Sequence, residues 1–265
     1  MQAVIDAAQY YASQFSNHVI VNINVGYGEI AGGNMSAGAL GESESYGYLT
    51  NYATVTADLA KDGFTFAATN EPMNNSLFLV TSAEAKTLGI VPPATSLDGY
   101  IGFGTLSGTG DSWNLAATTT GQNTGTASNQ FDLQSVALHE ISEVLGRIGM
   151  EGATVINNHA TYTPLDLFNF ALPPATPGTL ALSPSSGYFS TDNGAHKLGV
   201  FNNSASNGGD IADWASYQSP TQAGTHGLPA GSHVADAFAA FGYPGYNGDI
   251  STSDLNVMAA LGYKV

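Results

Sequence analysis

The chain has 265 residues, enough for one large domain with a substantial core. Its 5 Lys+Arg against 21 Asp+Glu leave a formal charge of −16, although charged residues make up only 10% of the sequence, well below the ~25% of an average soluble protein. So few cations cannot neutralise a phosphate backbone or an anionic lipid surface, which argues against nucleic-acid and membrane-surface partners, and the absence of cysteine excludes disulfides, thiolate metal sites and a cysteine nucleophile.

In chain order, Val4, Ala7, Ala8, Tyr11, Ala12 and Phe15 recur at helical spacing and predict an N-terminal helix over residues 3–15. His18 to Gly26 alternates, with Val19, Val21, Ile23 and Val25 on one side, and predicts a half-buried strand. Ala31 to Gly41 is a loop of small residues. Tyr46 to Lys61 reads as a second helix, because Leu49, Tyr52, Ala53, Val55 and Leu59 share a face. Ser76 to Val80 is a short apolar strand, Ser82 to Leu88 a helical turn ended by Gly89, and Asp98 to Phe103 a turn feeding a strand. Gly108 to Gln130 is a long polar connection, a length that usually marks a functional loop.

Asp132 is placed to cap a central helix, Leu133 to Arg147, whose Val136, Ala137, Ile141, Val144, Leu145 and Ile148 supply the buried stripe. Beyond it Pro173, Pro174, Pro177 and Pro184 interrupt regular structure, and helical spacing returns only from Asp254 to Leu261. This order implies a single α+β domain over residues 1–265, with an N-terminal subdomain (1–147) ending in the central helix and an irregular C-terminal subdomain (148–265). No apolar run approaches the ~18 residues of a membrane helix, and the polar stretch after Met1 is not a signal peptide. The Thr-, Asn- and Gly-rich composition fits a secreted bacterial protein whose export signal has been removed or lies elsewhere.

The chemistry concentrates in His139-Glu140-Ile141-Ser142-Glu143. His139 and Glu143 are four apart, hence neighbours on one helix face and able to reach one cation, while Glu140 lies a step of about 100° round. This is the HExxH arrangement of zinc proteases with Glu in place of the second His, and a carboxylate oxygen can replace an imidazole nitrogen on zinc at nearly the same bond length. With six His in the chain, chance predicts on the order of 0.005 HExxE matches. The bland alternative is a helix-surface pair, but three ionisable residues set among Val136, Ala137, Ile141, Val144 and Leu145 cannot all avoid the interior, where charge needs a partner or a metal.

Together with the N-terminal helix leading into Val19 to Gly28, the Asp98 to Phe103 strand, the Phe131 to Glu140 approach and the closing Asp254 to Tyr263, this motif resembles the secreted bacterial zincin-type metalloproteases related to matrixins and serralysins. The resemblance implies a zincin-like α+β fold, with a twisted sheet packed on the metal-binding helix. It also implies one catalytic Zn2+, and an extended protein or peptide substrate along an edge strand, for which the strand holding Tyr100 to Phe103 is a candidate. Glu140 would be the general base that takes a proton from the water attacking the peptide carbonyl. A monomer is expected.

Where metzincins place a third His three residues after the helix-ending Gly, this chain has Gly149. Asp166, set among Leu165, Leu167 and Phe168, is the first choice for the third ligand, with a cap on a short helix begun near Pro164 as its ordinary explanation. His159 and Glu151 follow. One His with two carboxylates makes a harder, more anionic site than three His, one expected to prefer calcium or manganese or to hold zinc weakly. Tyr162 is a candidate oxyanion donor, and His196, His226 and His233 read as surface residues. Acidic turns at Asp192 to Gly194, Gly209 to Asp213 and Asn247 to Asp254 offer oxygens for structural Ca2+, although Asx turns and caps account for the same residues. A competing function class is a non-catalytic surface, adhesion or carbohydrate-binding protein carrying a degenerate site.

Overall fold

The computed structural model describes residues 1–67, 73–116, 126–173, 175–176, 178–182, 187–202, 209–215, 236–240, 242, 244–245 and 247–265. Within them the chain is mixed α+β. The helices are α1 (Gln2–Gln14), α2 (Tyr52–Leu59), α3 (Ser82–Leu88), α4 (Leu133–Val144) and α5 (Thr252–Ala260). Most begin where a side chain can accept one of the amide protons that the first turn leaves unpaired. Asn51 accepts from Thr54 N, Thr81 from Glu84 N and Asp132 from Gln134 N, while Ser251 and Asp254 form a capping box. Gly89 ends α3 in the left-handed region at φ 77°. None of these helices is long and apolar enough to cross a membrane.

Two expected elements differ. The helix expected over 46–61 begins only at Tyr52, because the Asn51 cap fixes its start. The residues before it form strand β5 (Gly47–Asn51), antiparallel to β6 (Leu77–Thr81). The strand expected from His18 starts at Ile23, since Asn22 N is drawn off to the Asp98 carboxylate at 2.8 Å.

One small sheet matters most for the site. It has the order β1 (Ile23–Tyr27), β7 (Gly99–Phe103), β4 (Gly41–Ser45), with β7 parallel to β1 and antiparallel to β4. The strand holding Tyr100 to Phe103 is therefore the middle strand and not an edge; β4, which begins at the last residue of the expected small-residue loop, is a terminal strand. Gly99 lets this sheet settle on α4, since a Cβ there would lie 2.9 Å from a Val144 methyl and 2.5 Å from the Glu44 carbonyl oxygen.

The remaining strands form separate small sheets rather than one twisted sheet. β10 (Thr154–Ile156) and β11 (His159–Tyr162) extend β6 and β5 into four strands. The pairs β2 (Glu29–Ile30) with β3 (Gly33–Asn34) and β8 (Ser112–Asn114) with β9 (Gln130–Asp132) are two-stranded. β12 (Asn169–Ala171), β13 (Gly187–Phe189) and β14 (Gly199–Val200) make an antiparallel trio in the C-terminal half. The expected long connection Gly108 to Gln130 contains β8 and the first residue of β9, while its residues 117–125 and three of the four prolines (174, 177 and 184) lie outside the described residues.

The main hydrophobic cluster runs from Val4 and Tyr11 through Phe78, Leu138 and Trp214 to Leu261, and Phe170, Tyr188 and Val200 form a smaller one. The Tyr11 hydroxyl donates to Leu138 O at 2.8 Å and the Tyr263 hydroxyl to Leu145 O at 2.8 Å, so both chain ends are pinned to the central helix and its C-terminal cap. The buried Lys86 ammonium meets Asp98 Oδ1 at 2.7 Å, and this pair fixes the entry to β7 against α3. The two tyrosine bonds anchor α4, which packs against β4.

Candidate metal centre

On α4, His139, Glu140 and Glu143 present donor atoms that all lie within 4.8 Å of one another. His139 Nε2 is 3.3 Å from Glu143 Oε1. His139 Nδ1 is 2.8 Å from Ala237 O; a carbonyl only accepts, so Nδ1 carries a proton and Nε2 is turned to the carboxylates, the outer-sphere arrangement that orients a metal-binding imidazole. Ser43 of β4 donates to Glu143 Oε2 at 2.7 Å, and Gly41 of the same strand lies against the Glu140 carboxylate.

A fourth group arrives from far along the chain. Asp213 Oδ1 sits 3.2 Å from His139 Nε2. Its position follows from Trp214, wholly buried, stacked on Phe201 at 5.1 Å and donating through Nε1 to Asp254. Asp210 N donates to Asp213 Oδ2 at 2.6 Å and closes the turn. The sequence marks this acidic turn as a source of oxygen ligands but gives no sign that it meets His139, 74 positions earlier.

Asp166, the first choice for a third ligand, is elsewhere. It is the ordinary cap: Thr163 N, Met150 N and Glu151 N donate to its carboxylate at 2.7, 3.2 and 3.0 Å, within the capping box of the short 3-10 helix Pro164–Phe168. Burial raises its pKa to about 6 against the lowering effect of those amides. His159 is exposed with Nδ1 on Asn75 O, and Glu151 is buried with Oε1 on the Asn169 amide. Tyr162 packs under Gly152 and against Phe78, away from the cluster. His196 is surface-exposed and paired with Asp192, while His226 and His233 lie outside the described residues. Of the acidic turns, Asp192 binds Ser190 and His196, and Asp254 caps α5.

Arg147 completes the cluster. It is fully buried, its Nη1 is 2.6 Å from Asp213 Oδ1 and its Nη2 3.2 Å from Glu143 Oε1, and its guanidinium lies 4.6 Å from the centre of the Phe238 ring. Burial opposes its charge, but Asp213 and Glu143 outweigh burial and its pKa rises. Burial and Arg147 work against protonation of His139, yet Asp213 and Glu143 raise its pKa well above the usual value. Asp213 is likewise opposed by burial and still lowered to about 2 by His139 and Arg147. Glu140 goes the other way: burial first, then the Glu143 charge, raises its pKa well above a free carboxylate's.

His139, Glu140 and Glu143 could together hold a metal ion. Ligands held on zinc at about 2.0–2.1 Å in a tetrahedron lie about 3.3 Å apart, and Glu143 Oε1 and Asp213 Oδ1 lie 3.3 and 3.2 Å from His139 Nε2. The set of one imidazole and two carboxylates sits on the floor of a cleft of about 780 Å³, within the range of ligand sites. One wall is β4, which contributes Gly41 to Glu44. No protein-family model matches the chain, and neither the curated proteins nor the solved structures contain a match.

Proposed function

We propose that the chain is a secreted zinc-dependent metalloendopeptidase of zincin-like architecture, with His139, Glu143 and Asp213 as metal ligands and Glu140 as the proton-transfer residue. The observation that carries this reading is the convergence of Glu143 Oε1 and Asp213 Oδ1 on Nε2 of the His139 ring, at the floor of a cleft bordered by a terminal strand. Asp213 takes the role that the sequence offers first to Asp166.

A zinc ion held by these three side chains would acidify water and polarise a peptide carbonyl. Ala237 O keeps the imidazole in the Nδ1–H tautomer, and Ser43 and Arg147 hold the carboxylates in place. Glu140 makes no hydrogen bond or ion pair among the described residues, so its carboxylate is available to accept the proton of the attacking water and return it to the leaving amine. A pKa raised by burial suits a group that must hold a proton between those two events. β4 offers its backbone groups to an extended peptide by strand addition.

The test is metal content with activity. The purified chain should carry about one zinc per molecule, lose peptidase activity with EDTA and regain it with zinc but not with calcium. Glu140→Ala should lower turnover roughly 10²–10⁴-fold and keep the metal. Undiminished cleavage by that variant sinks the mechanism.

One observation favours a second reading. Arg147 already supplies a positive charge to Glu143 and Asp213, as in a closed buried ion-pair network. On that reading the chain is a non-catalytic surface protein, and elemental analysis finds no stoichiometric metal.

A further inference from the structure

Both carboxylates turned to His139 Nε2 offer it one oxygen, and in each the second oxygen is already held. Glu143 Oε1 and Asp213 Oδ1 lie 3.3 and 3.2 Å from Nε2. Glu143 Oε2 accepts the Ser43 hydroxyl at 2.7 Å, and Asp213 Oδ2 accepts Asp210 N at 2.6 Å. Arg147 touches only the oxygens that face His139: Nη2 donates to Glu143 Oε1 at 3.2 Å and Nη1 to Asp213 Oδ1 at 2.6 Å. An ionised carboxylate oxygen has two lone pairs, so each of these keeps one for a cation.

Of the two donors that hold the outer oxygens, Asp210 N is backbone, whereas Ser43 is a side chain whose place follows from sheet register. Gly104 N donates to Leu40 O and Tyr46 N to Asp98 O, each at 2.9 Å, so the even-numbered residues of β4 bond to β7. Gly41, Ser43 and Ser45 therefore turn their backbone groups away from β7 and share one face of the strand. That face lies on α4, where Gly41 meets Glu140 and Ser43 meets Glu143. A slip of one residue would set Glu42 or Glu44 against these carboxylates. Glu143 is 4% exposed, so its carboxylate is oriented by protein groups rather than by bulk water.

This orientation bears on the choice of metal. Zinc takes about four ligands, whereas calcium takes about six to eight oxygens and often grips a carboxylate by both of its own. Limiting each carboxylate to one oxygen disfavours calcium, even though one imidazole with two carboxylates is a hard donor set.

We infer that Ser43 is a positioning residue of the metal centre: its hydroxyl keeps Glu143 a one-oxygen ligand and thereby sets a preference for zinc over calcium. This rests on the metal centre proposed above.

Metal binding to the metal-stripped protein tests it. Dissociation constants for zinc and for calcium are measured by competition with a chromophoric chelator, in the wild type and in Ser43→Ala, Ser43→Thr and Ser45→Ala. Loss of an outer-sphere partner costs roughly 10–100-fold in metal affinity. Ser43→Ala should therefore weaken zinc at least about tenfold and leave calcium within about threefold. Ser43→Thr keeps the hydroxyl on a strand that suits β-branched residues, and Ser45→Ala lies two residues along the same face; both should bind zinc within about threefold of the wild type. In cobalt-loaded protein the visible bands of a four-coordinate ion should be present in the wild type and Ser43→Thr, and should weaken in Ser43→Ala as Glu143 adds its second oxygen. Zinc held as tightly by Ser43→Ala as by the wild type overturns the inference while the metal centre stands. Zinc and calcium weakened alike, or Ser43→Thr no better than Ser43→Ala, overturns it in the same way. A wild-type protein that binds no zinc removes the centre itself.

Discussion

The Glu140 carboxylate rests on the α-carbon of Gly41: a Cβ added at Gly41 would lie 2.2 Å from Glu140 Oε1 and 2.7 Å from its carboxyl carbon. The backbone of Gly41 is not in the left-handed region, so it is space, not conformation, that requires glycine here. Gly41→Ala should push the carboxylate or the end of β4 aside while leaving His139, Glu143 and Asp213 untouched. A 1 Å misplacement of a catalytic group costs about 10²-fold, so turnover should fall by about that much with zinc content unchanged. Full activity in this variant would show that Glu140 is not the proton carrier.

Asp166 gives a contrasting outcome. Its carboxylate accepts three backbone N–H bonds, and charge-assisted bonds of this kind contribute about 1.5–3 kcal/mol each at most. Asp166→Ala should therefore destabilise the fold by about 2–4 kcal/mol in denaturant titration and leave zinc affinity within about twofold. A large loss of zinc affinity in folded protein would restore Asp166 as a ligand.

The sequence makes α4 and its chemistry legible because three signals coincide: the Asp132 cap, an apolar stripe, and ionisable residues that the stripe carries inward. It hides β4, since Gly41-Glu-Ser-Glu-Ser45 has no apolar side. The face turned to α4 meets carboxylates, so Gly41 and Ser43 serve where a hydrophobic strand face would ordinarily be. Tyr46 to Asn51 misleads for the opposite reason, because Leu49 falls into helical register with Val55 and Leu59 although the Asn51 cap excludes it from the helix. Asp213 is unreadable as a ligand because its place is set by the burial of its neighbour Trp214, a tertiary fact with no local trace. Asp166 draws suspicion as a buried acid, yet its partners are the amides of its own turn and of Met150 and Glu151.

Glu84 predicts a pH effect. It is wholly buried at the end of α4 under Gly146, and neither oxygen has a hydrogen-bond partner. Burial raises its pKa well above the ordinary value, against a small lowering by the Thr81 backbone. A folded pKa above the unfolded one, about 4.3 for Glu, means the contribution is fully present below that pH and is lost as pH rises through the folded value. Each pH unit inside this window removes up to about 1.4 kcal/mol. Glu84→Gln should thus match the wild type in stability near pH 4 and exceed it increasingly towards pH 8. Parallel stability curves across that range would show that Glu84 gains a partner when ionised.

Arg147 decides between a metal centre and a closed ion-pair network. It is 0% exposed and binds both Glu143 Oε1 and Asp213 Oδ1, so Arg147→Met leaves two buried carboxylates facing His139 with no guanidinium. In metal-free protein that should cost about 3–5 kcal/mol. If the three side chains bind zinc, the ion replaces the lost charge, and saturating zinc should raise the Tm of the variant more than that of the wild type. In the wild type the sign with pH also follows. The raised pKa of His139 makes its stabilising proton fully present below about 6.5 and lost as pH climbs through the folded value, whereas zinc needs the neutral ring. Metal-free Tm should fall above neutrality while the zinc-induced rise in Tm grows. A zinc response absent from both proteins, or flat with pH, would leave Arg147 and protonated His139 as the cations that balance these carboxylates.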